Sequence, residues 1–250
     1  MKITLLQRDI VWGNPDINCK RAEEAILEAP LSDLYVLPEM WSTGFATEPK
    51  GIAEKEPSES LQWMHKMANR LNAAITGSIA TQTKEGIYCN RLYFVKPQQT
   101  EEVFYDKHHL FSYGGENNHY TAGNERVVIS WRGVRFLLQI CYDLRFPVFA
   151  RNHEDYDCII YVASWPTSRI DAWNTLLHAR ALENQCYVIG VNRIGSDPAC
   201  SYSGGTILID AYGKDVVSCP MNQETSATAE LDMYKLEGFR KKFPVLKDRD

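Results

Sequence analysis

The chain has 250 residues, of which 44% are hydrophobic and 24% are charged, and its formal net charge is −5. This is an ordinary globular composition, and a chain of this length can bury one large core, so a single domain over residues 1–250 is expected. The densest basic run, at residues 240–242 (Arg-Lys-Lys), is too short for a phosphate-binding stripe, which argues against a nucleic-acid partner.

The N-terminal apolar run ends at residues 7–9 (Gln-Arg-Asp), too early for the core of a secretion signal. Apolar runs elsewhere, such as residues 158–163, are far shorter than a membrane span. A cytoplasmic protein without a membrane partner is therefore expected. The cysteine count of seven is odd, and no Cys-x-x-Cys or Cys/His metal spacing occurs. Neither a disulfide framework nor a metal is indicated, and no cofactor is predicted.

Short apolar runs alternate with amphipathic stretches along the chain. The runs lack polar alternation and predict strands covered on both faces, at residues 2–7, 34–37, 73–80, 134–140, 158–163 and 186–192. A helix is predicted around residues 61–71, with Ser58 or Ser60 as its N-cap, and a second around residues 171–184. Residues 206–210 suggest a further strand that leads into a turn. The pattern is typical of a layered α/β sandwich, and the polar residues 239–244 suggest an arm that packs on a neighbouring molecule.

Three of the predicted strands end in side chains that could carry chemistry. Glu39 follows the strand at residues 34–37, and a carboxylate that is partly buried there is a candidate general base. Cys141 follows the strand at residues 134–140, where a strand-to-helix junction can expose a sulfur and direct backbone N–H groups at an oxyanion. A solvated glutamate and a buried structural cysteine are the alternatives that these two segments leave open.

The third strand end, at residues 103–106, is followed by Lys107, His108 and His109. Two adjacent histidines could suggest a Cys–His pair or a metal site. Neighbouring side chains of an extended segment point to opposite sides, however, so both cannot serve one site. Metal binding by these histidines is therefore not expected.

Taken together and in this order, the three segments resemble the nitrilase (carbon–nitrogen hydrolase) superfamily. The matching motifs are residues 37–39 (Leu-Pro-Glu), 105–111 (Tyr-Asp-Lys-His-His-Leu-Phe) and 140–147 (Ile-Cys-Tyr-Asp-Leu-Arg-Phe-Pro). The resemblance spans residues 2–235. It implies an α/β fold of four αββα layers, a tendency to form homodimers, a catalytic Cys141 and roles for Glu39 and Lys107.

The same resemblance implies a second glutamate between the lysine and the cysteine. The family places it before a Thr-Ala-Gly-Asn turn, which here stands at residues 121–124 and points to Glu116. Glu125 is the competing acid, but it follows that turn. Glu116 is expected to orient Lys107 or the departing amine.

Within the superfamily, the chain is most similar to the bacterial omega-amidase branch, whose members hydrolyse the terminal amide of 2-oxoglutaramate and 2-oxosuccinamate. The supporting segments are residues 41–45, 112–116 and 164–166, whereas Val148 departs from the glutamate that many relatives carry. Another small-molecule amidase or N-carbamoyl hydrolase is the alternative. A nitrile hydrolase is disfavoured because Tyr142 and Asp143 stand where nitrilases carry Trp-Glu. A silent scaffold would be expected to lack one of the three catalytic residues, and a cysteine protease would need His153 or His178 near the thiol.

The resemblance also suggests how a small amide substrate is bound. Lys107 and the backbone N–H of Tyr142 would hold the oxyanion. The remaining candidates for substrate contact are Phe45, Tyr113 and Trp165 as walls, with Arg169 or Arg145 as the carboxylate partner. Arg145 is alternatively a structural ion-pair partner. One lysine against two carboxylates leaves no surplus positive charge, which predicts a neutral Cys141 thiol in the free enzyme.

Overall fold

The computed structural model describes residues 1–249. The strands in chain order are β1 (Lys2–Gln7), β2 (Leu34–Val36), β3 (Glu54–Lys55), β4 (Ala74–Gln82), β5 (Tyr88–Val95), β6 (Phe104–Asp106), β7 (Val128–Trp131), β8 (Val134–Ile140), β9 (Cys158–Ala163), β10 (Tyr187–Asn192), β11 (Ile194–Ser196), β12 (Ser201–Ser203), β13 (Ile207–Ile209), β14 (Asp215–Ser218) and β15 (Thr225–Glu230). The α-helices are α1 (Pro15–Glu28), α2 (Glu59–Leu71), α3 (Pro147–Ala150), α4 (Ile170–Asn184) and α5 (Met233–Lys242). Short 3₁₀ helices lie at Ser112–Gly114, Glu116–Asn118, Cys141–Arg145, Thr167–Arg169 and Val245–Asp248. None of the helices in residues 1–249 is both long and apolar enough to cross a membrane.

Two sheets carry most of the strands. The first has the order β15-β1-β2-β4-β5-β6, with β3 also paired to β4, and the second has the order β14-β13-β10-β9-β8-β7. β1, β2 and β4 run parallel in the first sheet, and β8, β9 and β10 run parallel in the second. Parallel neighbours end at the same edge, so each sheet brings the residues after its central strands together.

The side chains of β2 show how the layers stack. Leu34 and Val36 belong to the core cluster between the two sheets, whereas Tyr35 and Leu37 belong to the cluster under α1 and α2. This alternation is the period of two that a strand imposes, with both faces covered. Across the sheets, the ring of Phe94 lies 5.9 Å from that of Phe136. The four-layer αββα sandwich is therefore confirmed.

Single residues determine where α2 begins and how closely α4 packs on its sheet. The Ser58 hydroxyl accepts a hydrogen bond from the backbone N–H of Leu61, which identifies Ser58 rather than Ser60 as the N-cap of α2. On the other side, α4 packs so closely on β10 that a Cβ at Gly190 would lie 2.5 Å from a methyl carbon of Leu177. Glycine at this position permits the close approach of helix and sheet.

Each of the six predicted strands corresponds to an observed strand within about two residues at either end. The helices predicted at residues 61–71 and 171–184 also form. The pattern did not indicate β5, whose buried residues include the polar Asn90 and Arg91, nor the partly exposed β7 and β15.

Part of the segment at residues 239–244 packs on its own chain. Arg240 donates hydrogen bonds to the carbonyls of Gln185 and Tyr156 and to the carboxylate of Asp157, each at 2.9 Å. Phe239 stacks on Tyr212 with 3.9 Å between ring centroids. Residues 241–244 are exposed, and the packing of this arm on a neighbouring molecule stays a prediction.

Replacing Arg240 by alanine should lower the free energy of unfolding by about 1–3 kcal/mol, because it leaves the buried Asp157 with one cation fewer and two carbonyls without a donor. Chemical denaturation of the wild type and the variant measures the change. The exposed neighbour Lys241 gives the matched control, since Lys241→Ala should alter stability by less than about 0.5 kcal/mol. Equal effects of the two substitutions would contradict the role given to Arg240.

Candidate active site

The three predicted strand ends meet at one place in the sandwich. Glu39 follows β2 and Lys107 follows β6 in the first sheet, while Cys141 follows β8 in the second. The Lys107 ammonium lies 2.9 Å from a carboxylate oxygen of Glu39, and both side chains are completely buried. Cys141 is 9% exposed. The carboxylate of Glu39, the ammonium of Lys107 and the thiol of Cys141 therefore lie together where the edges of the two sheets meet.

Glu116 belongs to the same cluster. Its two carboxylate oxygens lie 2.9 and 3.2 Å from the Lys107 ammonium, and one of them accepts a 2.6 Å hydrogen bond from the backbone N–H of Phe111. The competing acid, Glu125, is exposed at the surface. The geometry thus separates the two glutamates that the sequence left to a choice.

The sequence analysis missed Asn90, a buried residue of β5. Its amide nitrogen donates to Glu39 at 2.8 Å and to Glu116 at 3.1 Å. A neutral donor between two carboxylates reduces their repulsion without adding charge. The available signal was the polar pair Asn90 and Arg91 within an apolar strand, since buried polar side chains need partners.

Glu39 is further held from the second sheet. The backbone N–H of Ser164, directly after β9, donates to its second carboxylate oxygen at 2.7 Å, and the Ser164 hydroxyl lies 3.3 Å from the Glu39 carbonyl oxygen. Ser164 lay in a segment that the sequence associated with the family but was not itself predicted as a site residue. Its role is a backbone contact, which side-chain identity does not reveal.

The charge states in the cluster follow from burial and proximity. Burial alone would lower the pKa of Lys107, but the carboxylates of Glu116 and Glu39 raise it above its usual value. Burial raises the pKa of Glu116, although the Lys107 ammonium opposes that change. The two glutamates therefore keep Lys107 protonated, and the cluster contains two acidic side chains for one basic side chain.

Cys141 occupies an unusual backbone conformation with φ of +45°, as the first residue of a 3₁₀ helix. Non-glycine residues adopt this region rarely, and active sites are among the places where they do so. Burial raises the pKa of the Cys141 thiol well above its usual value, the charge of Glu39 adds to the rise, and Lys107 opposes it. This direction agrees with the neutral thiol that the charge count predicts.

A small cavity of about 40 Å³ leads to the sulfur. Four of the predicted substrate-binding residues, Phe45, Tyr142, Trp165 and Arg169, line it together with Cys141. The walls that sequence reasoning missed are Phe111, Ser164, Pro166, Cys200 and Tyr202. Cys200 and Tyr202 come from the β11–β12 hairpin, which lies outside both main sheets, and no pattern in the sequence linked this hairpin to the site.

The two other predicted substrate contacts lie elsewhere. Tyr113 is 87% exposed and lines an adjoining outer cavity of about 560 Å³, not the one at the sulfur. Arg145 is absent from the residues lining either cavity, and its guanidinium lies 5.1 Å from the centre of the Trp165 ring. Within residues 1–249, no carboxylate lies within 4.0 Å of Arg145, so the ion-pair alternative is not observed either.

Arg169 stands at the boundary between the two cavities and lines both. Its guanidinium lies 5.3 Å from the centre of the Phe111 ring, and its carbonyl accepts a 2.7 Å hydrogen bond from the Trp165 indole. In the described part of the chain, the Arg169 guanidinium has no carboxylate partner. A cation in this position can receive an anionic group from a bound ligand.

The histidines do not form a Cys–His pair. His108 bonds to the Gly123 carbonyl and His109 to Asp143, while His178 bonds to Asp215. Neither these three nor the exposed His153 line the cavity at Cys141. Residues 1–249 contain no group of His, Cys, Asp or Glu side chains arranged to hold a metal ion.

Comparison with known proteins shows which family this chain belongs to and which proteins it resembles along its full length. The family model described as carbon-nitrogen hydrolase matches residues 2–241. An omega-amidase, YafV, from Escherichia coli is 44% identical over 251 aligned residues that cover 100% of this chain and 97% of the relative. A 2-oxoglutaramate amidase from Bacillus subtilis is 34% identical and covers 98% of this chain and 96% of the relative.

A solved structure extends the comparison to three dimensions. The protein XC1258 from Xanthomonas campestris, described as a CN-hydrolase superfamily protein with an arsenic adduct in its active site, superposes with a TM-score of 0.95. It is 39% identical and covers 100% of this chain and 97% of that chain. The fold and its layer order are therefore shared along the full length.

The raised pKa of Cys141 predicts how the thiol reacts in the free protein. Because a raised pKa keeps the thiol protonated through neutral pH, its alkylation by iodoacetamide should accelerate by about tenfold per pH unit from pH 6 to 9 without a plateau. Peptide mass spectrometry can follow Cys141 separately from Cys200, and Cys141→Ala identifies its signal. A plateau with a midpoint below pH 7 would show a resting thiolate and contradict the expectation.

Proposed function

This chain belongs to the carbon–nitrogen hydrolase family, and we propose that it is an omega-amidase that hydrolyses the terminal amide of 2-oxoglutaramate or 2-oxosuccinamate. The products are the 2-oxo dicarboxylate and ammonia. The observation that carries this proposal is the buried contact of Glu39, Lys107 and Glu116 beside Cys141, at a cavity that ends on the unpaired guanidinium of Arg169. The near-full-length identity to an omega-amidase and to a 2-oxoglutaramate amidase supports this assignment.

The first half of the proposed reaction forms a thioester. Glu39 removes the proton from Cys141 while the sulfur attacks the amide carbon, and the carbonyl oxygen takes up negative charge. When that tetrahedral species collapses, the C–N bond breaks and Glu39 passes the proton to the departing nitrogen, which leaves as ammonia. Burial raises the pKa of the Cys141 thiol, and the negative charge of Glu39 adds to the rise, as expected for two groups in proximity.

The second half releases the acid. Glu39 takes a proton from a water molecule while the oxygen of that water attacks the thioester carbon. The C–S bond then breaks, the thiolate leaves, and the proton held by Glu39 returns to the sulfur. The Glu39 carboxylate thus serves both halves of the reaction. Its full burial and its three hydrogen bonds, from Asn90, Lys107 and the Ser164 N–H, fix its orientation and so favour this double role.

The oxyanion is stabilised by Lys107 and by the backbone N–H of Tyr142. The raised pKa of Lys107 supports a permanent positive charge there. Tyr142 stands in the first turn of a 3₁₀ helix, where backbone N–H groups have no partner within the helix. A single donor of this kind typically contributes about 3 kcal/mol to transition-state stabilisation. Glu116 holds the ammonium with both oxygens and so orients it.

Arg169 is the proposed partner of the substrate carboxylate. The small inner cavity leaves little room beyond the reacting amide, so an acyl chain of several carbons extends toward the boundary where Arg169 stands. Guanidinium groups bind carboxylates through two parallel hydrogen bonds. Phe45 and Trp165 line the path between them, whereas Arg145 lies outside it.

The alternative function is that of another small-molecule amidase or N-carbamoyl hydrolase with the same catalytic residues. The free guanidinium of Arg169 in the cavity favours an acidic substrate over a neutral one. A silent scaffold is disfavoured because Glu39, Lys107 and Cys141 are all present and brought together. Assembly into a homodimer and residence in the cytoplasm stay predictions.

The first test is the release of ammonia from 2-oxoglutaramate by the purified protein, with glutamine and a simple nitrile assayed alongside. Turnover should be highest on the keto-amide, and Cys141→Ala should abolish it because it removes the thiol that forms the thioester beside Glu39 and Lys107. Cys19→Ala, which removes a partly buried thiol outside both cavities, is the matched control and should retain activity. A preference for glutamine or the nitrile would replace the omega-amidase assignment.

The second test concerns the acidic end of the substrate. Arg169→Ala should lower kcat/KM for 2-oxoglutaramate by about 10- to 100-fold, because it removes a charged hydrogen bond of about 1.5–3 kcal/mol. Activity on pentanamide, which has no carboxylate, should change by less than about threefold. Arg145→Ala is the control at the arginine outside the cavities. Parallel losses on both amides, or a larger loss in the Arg145 variant, would remove the assignment.

A further inference from the structure

A further buried carboxylate, that of Asp143, lies two residues after Cys141 and outside the Lys107 cluster. We propose that Asp143, together with Tyr105 and His109, forms a clamp that fixes the position of Lys107 relative to Cys141. These three are positioning residues. The inference rests on the proposed function, because it assigns Lys107 and Cys141 to one reaction.

The Asp143 carboxylate receives four hydrogen bonds. One oxygen accepts from the backbone N–H of Ile140 at 2.9 Å and from the Tyr105 hydroxyl at 2.8 Å. The other accepts from the backbone N–H of His109 at 2.9 Å and from His109 Nδ1 at 2.8 Å. Every acceptor position of the carboxylate is therefore used.

The donors come from two different segments. Ile140 and Asp143 belong to the turn that carries Cys141, whereas Tyr105 and His109 stand two residues before and two residues after Lys107. The Tyr105 hydroxyl also accepts a 3.1 Å hydrogen bond from the backbone N–H of His108. The lysine segment is thus attached on both sides of Lys107 to the nucleophile turn, through one carboxylate.

The turn needs such an attachment because Cys141 has φ of +45° within a 3₁₀ helix of five residues. A conformation of this kind persists only where the surrounding structure holds it. The bond from Ile140 N–H to Asp143 closes the turn around the cysteine, and the bonds from Tyr105 and His109 keep Asp143 in place. Asparagine could not substitute, since it offers one acceptor oxygen and would direct N–H groups at N–H donors.

His109 allows the clamp to be tested without touching the substrate. Its ring stacks on Phe146 at 4.0 Å and lines a surface cavity of about 420 Å³ that Cys141 does not line. The adjacent His108 lines the same cavity and stacks on Phe149 at 4.1 Å, but its Nδ1 bonds to the Gly123 carbonyl and not to Asp143. The two histidines therefore differ in their contact with the carboxylate while sharing an environment.

The experiment compares His109→Leu, His109→Asn and His108→Leu with the wild type. His109→Leu should lower kcat on 2-oxoglutaramate by about tenfold or more, with KM within about twofold, because it removes a hydrogen bond to a charged acceptor. His109→Asn should restore kcat to within about threefold, since its amide can donate in place of Nδ1. His108→Leu should change kcat by less than about threefold.

A second measurement does not depend on amide turnover. The rate of Cys141 alkylation by iodoacetamide at pH 7.5 should rise at least about threefold in His109→Leu and stay near the wild-type rate in His108→Leu. Loosening the turn exposes the sulfur and reduces the burial that raises its pKa. Both rates are compared at a temperature at which circular dichroism shows every variant folded. If His109→Leu does not fold, Tyr105→Phe removes a single hydroxyl of the clamp and should give the same two changes.

Three results would overturn the clamp. One is a His109→Leu variant with wild-type kcat and alkylation rate. Another is an equal loss in His108→Leu, and the third is a His109→Asn variant as impaired as His109→Leu. Failure of the wild type to hydrolyse any amide would instead refute the proposed function, and the alkylation rates would then test the clamp by themselves.

Discussion

The arrangement of the site depends on one buried ammonium group. Lys107 is completely buried and lies within 3.2 Å of oxygens from both Glu39 and Glu116. An unpaired lysine in such surroundings would lose its proton, and two unpaired carboxylates would repel each other. The three groups stabilise one another's charges, with Asn90 as a fourth, neutral donor. Removing Lys107 would leave two carboxylates in the interior without a cation.

The two-sheet sandwich supplies the positions that this cluster requires. Glu39 and Lys107 come from the first sheet, while Cys141 and the Ser164 N–H come from the second. Because parallel strands end at a common edge, side chains distant in the chain converge there without long loops. The core between the sheets, which includes Phe94 and Phe136, fixes the distance between the edges. Packing far from the site therefore controls the separation of nucleophile and base.

Charge also explains the chemistry that the site favours. Burial raises the pKa of Cys141 and the charge of Glu39 adds to the rise, so the thiol rests in its neutral form. In the proposed reaction the thiol must then lose its proton during attack, which gives the adjacent Glu39 carboxylate a function at each step. Asp143 lies outside that charge balance, because its four hydrogen-bond donors satisfy it separately.

The sequence by itself predicted six central strands of a layered α/β sandwich and placed Glu39, Lys107 and Cys141 at strand ends, because apolar periodicity is a local property of the chain. The four-layer order and the catalytic roles of these residues were implied by the resemblance of their motifs to the nitrilase superfamily. Only the tertiary structure added Asn90 and Ser164 to the cluster and placed Tyr113 and Arg145 outside the inner cavity. It also showed that Arg240 bonds to its own chain. These outcomes depend on contacts between segments far apart in sequence, which strand periodicity and local charge do not encode.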